Sequence, residues 1–162
     1  MSATLFDAAL RSALEQGEEL LAPAGKAVIA VPDSTRPVDY AAVLGPLLTH
    51  FMGWDISIVV ALGLHRPMTE SELAPIKAVC GDLPVFQHDP DAASAIAQDS
   101  TVRYHPRIHD ADLLVSVGVV EPHQYAGYSG GPKTFAIGCA DRATISRLHS
   151  LEMLSQSTLS PG

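Results

Sequence analysis

At 162 residues with 47% hydrophobic content, the chain can bury one ordinary core and is short for two. Ten Lys and Arg against eighteen Asp and Glu leave a formal charge of −8. That argues against a nucleic-acid partner, whose phosphate backbone needs a basic surface.

The two cysteines, Cys80 and Cys139, are distant in sequence and form no CxxC, which fits small buried side chains in a reducing compartment. In chain order, Leu5, Phe6, Ala9, Leu10, Ala13, Leu14 and Leu21 recur at helical spacing, and Pro23 with Gly25 closes the segment. Asp7, Arg11, Glu15, Glu18 and Glu19 interrupt any apolar signal core, and no later run is long enough to span a bilayer. The expectation is a cytoplasmic protein without membrane contact.

Lys26 to Val31 is a β-branched run closing at Pro32 and Asp33, read as a buried parallel strand feeding a loop. Asp39 is placed to cap a helix running to about Phe51. Residues 56–62 read as a second strand and 63–67 as its loop. Thr69 and Glu72 then form a capping box for a helix that stops near Cys80 and Gly81. Residues 83–86 make a weaker strand, 91–98 at best a short helix, and 111–118 a third buried strand.

This alternation predicts an α/β, Rossmann-like layered domain spanning 1–162, with a mostly parallel sheet and helices on both faces. The loops at 33–37, 63–67 and 121–133 each follow the C-terminal end of a strand, where open α/β sheets place ligands. They should converge on one crevice.

The segment EPHQYAGYSGGPK, residues 121–133, carries the strongest chemical signal. Gly127, Gly130 and Gly131 permit positive φ and close approach of backbone N–H groups to an anion, and the following helix adds its positive end. The spacing is neither a P-loop nor GxGxxG. On these residues alone, a structural glycine turn with an exposed Lys133 explains the segment equally well. His65, His88 and His123 fall in or near the post-strand loops, and His149 lies one helix further on. Two imidazoles facing one crevice can exchange protons near neutral pH. Taken singly, each is more simply a surface or hydrogen-bonded structural residue, as are His50, His105 and His109. Arg36 can hold a carboxylate in its fork, with Asp33 orienting it or binding a ribose hydroxyl; the simpler reading is an ion pair with that aspartate.

Together DSTRP at 33–37, GLHRP at 63–67, His88-Asp89 and the 121–133 block resemble, in order, the motifs of the nickel-dependent lactate racemase family. The likeness covers nearly the whole chain. It implies racemisation or epimerisation of a small 2-hydroxyacid by reversible hydride transfer to a nickel pincer nucleotide. By position in the motifs, Lys133 matches the covalent anchor, His149 the nickel ligand, His65 and His123 the catalytic pair, and Arg36 the substrate arginine. Asp33, Thr35, Tyr128, Ser129, Gly130 and Gly131 fall to cofactor binding.

The resemblance also implies a covering domain. Residues 1–162 are then expected to be a truncated N-terminal domain, inactive alone, whose complement is a separate C-terminal domain or another copy. Leu64 and Ile137 stand where the family commonly has threonine and proline. Two rivals remain: a non-catalytic binding module of the same fold, and a phosphate-ligand enzyme using Lys133 as a cation.

Overall fold

The computed structural model describes residues 24–93, 95–96, 102–123 and 127–150, together with Ala8, Ser12, Glu15 and Gln16. The helix expected over 5–21 lies outside these residues except at those four positions, which are helical.

From Lys26 the chain forms β1 (Lys26–Val31), α1 (Tyr40–His50), β2 (Asp55–Val60), α2 (Glu70–Cys80) and β3 (Val85–Gln87). Next come β4 (Ala95–Ile96), β5 (Arg103–Tyr104), α3 (Pro106–His109) and β6 (Leu113–Ser116). The last elements are β7 (Pro122–His123), β8 (Gly127–Tyr128), α4 (Lys133–Ala136) and α5 (Arg142–Leu148). The central sheet has the order β3-β2-β1-β6, and every pair in it is parallel. Ile29 of β1 sits between Ile58 of β2 and Val115 of β6.

Five consecutive buried residues in β1 reflect a strand covered on both faces. Side chains alternate across the pleat, so Ala27, Ile29 and Val31 join Leu44 and Leu47 of α1 and Leu73 and Ile76 of α2. Val28 and Ala30 point the other way, to Val59 and Cys139, with Ile108 of α3 and Phe135 of α4 against them. The helices therefore cover both faces, as the alternating pattern predicts. Each fully buried side chain such as Ile29, Leu44 or Ile58 contributes roughly 1.5–3 kcal/mol. Cys80 and Cys139 are free and buried, in line with their expected packing role.

Local signals set the helix ends. Asp39 accepts from the Ala42 N–H at 3.1 Å, and Thr69 and Glu72 form the reciprocal capping box. Gly81, at φ 58°, ends α2.

Four expectations shift. The third strand is Leu113–Ser116 rather than 111–118 and is only partly buried, with Leu114 43% exposed, because it stands at the end of the strand order and, among the described residues, lacks a neighbour on one side. β2 stops at Val60, not residue 62, because the Leu62 N–H turns back onto the Val60 carbonyl at 3.1 Å. β3 starts at Val85 because the Leu83 N–H is held by the Cys80 carbonyl in the turn after α2. Within 91–98, Ala95–Ile96 is a strand rather than part of a helix, paired antiparallel with Arg103–Tyr104. A partner strand beginning at Arg103 satisfies those backbone groups, and the pattern within 91–98 does not reveal it. Among the described residues no helix is long and apolar enough to cross a membrane.

Candidate active site

The loops after β1, β2 and β6 converge on one crevice of about 340 Å³, at the low end of the range for small-molecule sites. Asp33 and Arg36 come from the first loop, Leu64 and His65 from the second, and His123, Ser129, Gly130 and Lys133 from the third. Ile145 and His149 close it from the α5 side. The second and third walls are tied directly: the Gly63 N–H donates to the Gly138 carbonyl at 2.9 Å.

Asp33 is buried, and its carboxylate reaches two loops. Oδ1 accepts from the Thr35 N–H at 3.0 Å and from the Thr35 hydroxyl; Oδ2 meets Nδ1 of His65 at 2.5 Å. Burial pushes the carboxyl pKa up, but the hydrogen bonds from Thr35 and His65 together outweigh it and hold the group below its ordinary value. Asp33 is therefore ionised at neutral pH. Arg36 takes a different partner from the one expected: Nη1 donates to Oε2 of Glu121 at 2.8 Å. Asp33, in the same loop, is already engaged by Thr35 and His65, whereas Glu121 opens the third loop and meets the guanidinium.

That third loop is held by its own polar groups. The Ser129 hydroxyl donates to the Val119 carbonyl at 2.6 Å and accepts from the Glu121 N–H at 3.0 Å. Ser116 donates its hydroxyl to the Gly131 carbonyl at 2.7 Å. Gly130 and Gly131 have φ of 74° and 54°, the left-handed conformations that glycine adopts without steric cost. The chain then enters α4 at Lys133, whose amine is pulled below its ordinary pKa by burial and then by the Arg36 charge.

His123 and His149 lie 6.3 Å apart between ring centroids, their planes inclined by 46°. Burial, then the charges of Lys133, His149 and Arg36, lower the His123 pKa and favour its neutral form. His149 stands at the C-cap of α5, one residue beyond the helix, with Nδ1 2.9 Å from the Ile145 carbonyl. A carbonyl only accepts, so Nδ1 carries the hydrogen and the neutral ring has its lone pair on Nε2.

Of the candidates read from sequence, His65, His123, Arg36, Lys133, Asp33, Ser129, Gly130 and His149 all line the crevice. Thr35 lines a smaller neighbouring cavity of about 220 Å³ and bonds Asp33. Tyr128 is 60% exposed, and Gly131 shapes the turn behind the lining. His88 does not face the crevice. It is buried under the sheet, where Nε2 donates to the Ala140 carbonyl at 2.8 Å. Sequence reasoning assigned no role to Glu121 or to the Ile145 carbonyl. Glu121 stands in the same motif as His123, which was the available signal; a backbone carbonyl leaves none.

The fold and crevice define an α/β protein with a ligand site at the strand ends, lined by two cations, three imidazoles and one carboxylate. The model of the lactate racemase N-terminal domain matches residues 2–160, and the chain belongs to that family. It is similar to the lactate racemase of Lactiplantibacillus plantarum, with 32% identity over 85% of this chain and 35% of the relative. With the lactate racemase of Thermoanaerobacterium thermosaccharolyticum the identity is 30% over 78% of this chain and 33% of the relative. The solved structure of the lactate racemase apoprotein from the latter organism matches with a TM-score of 0.67 and 26% identity, over 86% of this chain and 38% of that one. The chain thus spans about a third of the length of the curated relatives it matches.

Proposed function

We propose that this chain is the cofactor-binding part of a 2-hydroxyacid racemase or epimerase that works with a nickel pincer nucleotide. The observation that carries the reading is the meeting of Arg36, His65, His123, Lys133 and His149 in one crevice. Family membership supports the reaction class, and the chemistry of these side chains fits the cofactor.

Lys133 has its amine shifted toward the neutral, nucleophilic form that covalent attachment requires, in a position framed by Gly130 and Gly131. His149 has Nδ1 engaged by a carbonyl, the arrangement that prepares the opposite nitrogen to ligate a metal. Among the described residues no group of three or more His, Cys, Asp or Glu side chains could hold a metal ion. Nickel here would need other donors, and soft sulfur on a cofactor suits it.

When bound, the cofactor supplies a reversible hydride acceptor for the substrate Cα–H bond. The chain's own residues do the rest. Lys133 anchors, and His149 gives one imidazole nitrogen to the metal. Asp33, Thr35, Tyr128, Ser129, Gly130 and Gly131 shape and line the nucleotide's surroundings. Arg36 binds the substrate carboxylate through the part of its fork that Glu121 does not use. His65 and His123 serve the substrate hydroxyl, one removing its proton as the hydride leaves Cα and the other giving a proton back to the oxygen once the hydride has returned to the opposite face of that carbon. Residues 1–162 make one domain in this reading. Cover for the reacting atoms comes from a part equivalent to the relatives' remaining length, a separate C-terminal domain or a second copy. A reducing cytoplasm suits the two free cysteines.

The test is intact mass of protein produced alongside cofactor-synthesis machinery. An adduct on Lys133 is the expected result, with none on Lys133→Arg. A wild-type chain without adduct would reject the reading, and an adduct retained by the arginine variant would reject the anchor.

A further inference from the structure

Asp33 sits behind His65 rather than behind Arg36, and this gives the aspartate a role beyond lining a cofactor site. Its side chain is 6% exposed, whereas that of His65 is 58% exposed at the crevice, so the pair runs from the protein interior out to the reacting space. Thr35 occupies Oδ1 with both its N–H and its hydroxyl, which leaves Oδ2 aimed at Nδ1 of the ring at 2.5 Å.

The two partners come from the loops after β1 and β2, which are neighbouring strands in register from Lys26 opposite Asp55 to Val31 opposite Val60. Their separation is therefore set by the sheet. The His65 backbone is also fixed, its N–H donating to the Leu62 carbonyl at 2.9 Å.

We propose that Asp33 is a positioning residue for His65: held by Thr35, its carboxylate accepts the Nδ1 hydrogen and presents the ring with its basic lone pair on Nε2. An ionised carboxylate has no hydrogen to donate, so Nδ1 must supply it. A free histidine side chain prefers the opposite tautomer, with hydrogen on Nε2. Without Asp33 the ring would offer the wrong nitrogen for much of the time and would turn about its χ angles. The same arrangement of carboxylate, imidazole and reacting hydroxyl serves hydrolases of unrelated fold, where loss of the tautomer control lowers turnover by roughly four orders of magnitude.

The proposal rests on the racemase reading for the purpose of the base, and the tautomer itself is measurable without any reaction. Long-range proton–nitrogen spectra of the nitrogen-15-labelled chain, with His65 assigned through His65→Gln, should show neutral His65 with hydrogen on Nδ1. Asp33→Ala should convert it to mainly the Nε2–H form while the amide spectrum stays dispersed, and Thr35→Val should give partial conversion. Wild-type His65 in the Nε2–H form, or a tautomer unchanged in folded Asp33→Ala, overturns the proposal. If Asp33→Ala fails to fold, the wild-type spectrum and Thr35→Val decide it.

A wild-type chain that shows the Nδ1–H tautomer but takes up no adduct would sink the racemase reading while leaving the pair intact.

Discussion

Arg36 and Glu121 join the first and third crevice loops through one hydrogen-bonded ion pair of 2.8 Å, although they lie 85 positions apart in sequence. Both side chains are more than a third exposed, so solvent screens the attraction and the pair is worth about 0–1 kcal/mol. Glu121→Gln should therefore change the free energy of urea unfolding by less than about 1 kcal/mol. Arg36→Ala, tested in a cofactor-loaded enzyme with its covering part present, should raise KM by roughly tenfold or more with a smaller effect on kcat. An unchanged KM would remove Arg36 from carboxylate binding.

Gly131 and Gly138, on either side of α4, test separate demands on the backbone there. A Cβ on Gly138 would collide with the Thr134 carbonyl and stand 2.7 Å from the Ala61 Cβ, both rigidly placed. Gly131 has φ 54° and nothing within 4 Å of its missing Cβ. Gly138→Ala should cost about 3 kcal/mol through overpacking and loosen the Gly63 to Gly138 bond across the crevice. Gly131→Ala should cost about 1 kcal/mol from conformation alone. Chemical denaturation of both variants checks the order, and a larger loss at Gly131 would contradict it.

Much of the fold was legible because its signals are local. The buried runs of β1 and β2 and the caps at Asp39 and Thr69 need only neighbouring residues, and loops after parallel strands must open on one edge. The short pairs β4 with β5 and β7 with β8 were not legible, since two-residue strands have no periodicity and depend on a partner. At the site, motif position picked out residues that meet in one crevice but not how they pair. Asp33 was expected to orient Arg36 or bind a ribose hydroxyl, yet register places it on His65, and His88, directly after β3, turns its ring away from the crevice onto the Ala140 carbonyl. Pairing between loops depends on strand register and side-chain reach, which spacing along the chain does not encode.

His105 makes stability depend on pH. Burial first, then the charges of His88 and Arg107, lowers its pKa from 6.5 to about 4. Between those values the unfolded chain binds a proton that the folded chain refuses, so stability falls as pH drops from 6.5 and levels off below about 4. His88, also lowered chiefly by burial, adds to the fall within the same range. His105→Asn keeps an acceptor at the N-cap of α3, where Nδ1 takes the Arg107 N–H at 3.3 Å, and removes the titrating ring. Unfolding free energies at pH 7, 6 and 5 should decline less steeply in this variant than in the wild type. Identical slopes would show that the decline has another source.

His149 has two roles to separate, the observed end of a helix and the proposed ligand of a metal. As a C-cap it receives the chain from α5, its N–H donating to the Ile145 carbonyl at 3.1 Å while the ring Nδ1 donates to the same oxygen at 2.9 Å. Removing the ring costs that second bond, about 0.5–1.5 kcal/mol, and the backbone bond survives in alanine. His149→Ala should therefore remain folded by circular dichroism and near-native in urea. The consequence for a metal is larger, because a lost imidazole ligand is not replaced by any backbone group, and the neighbouring His123 is placed 6.3 Å away between ring centres. In protein made with the cofactor machinery, the variant should keep the Lys133 adduct, which is bonded elsewhere, and lose most of its nickel by elemental analysis. Adduct and nickel at wild-type levels together would return His149 to the helix-capping role alone. Loss of both would mean that the metal is needed before the covalent bond can form, a result that His149→Gln, also unable to supply an imidazole nitrogen, should reproduce.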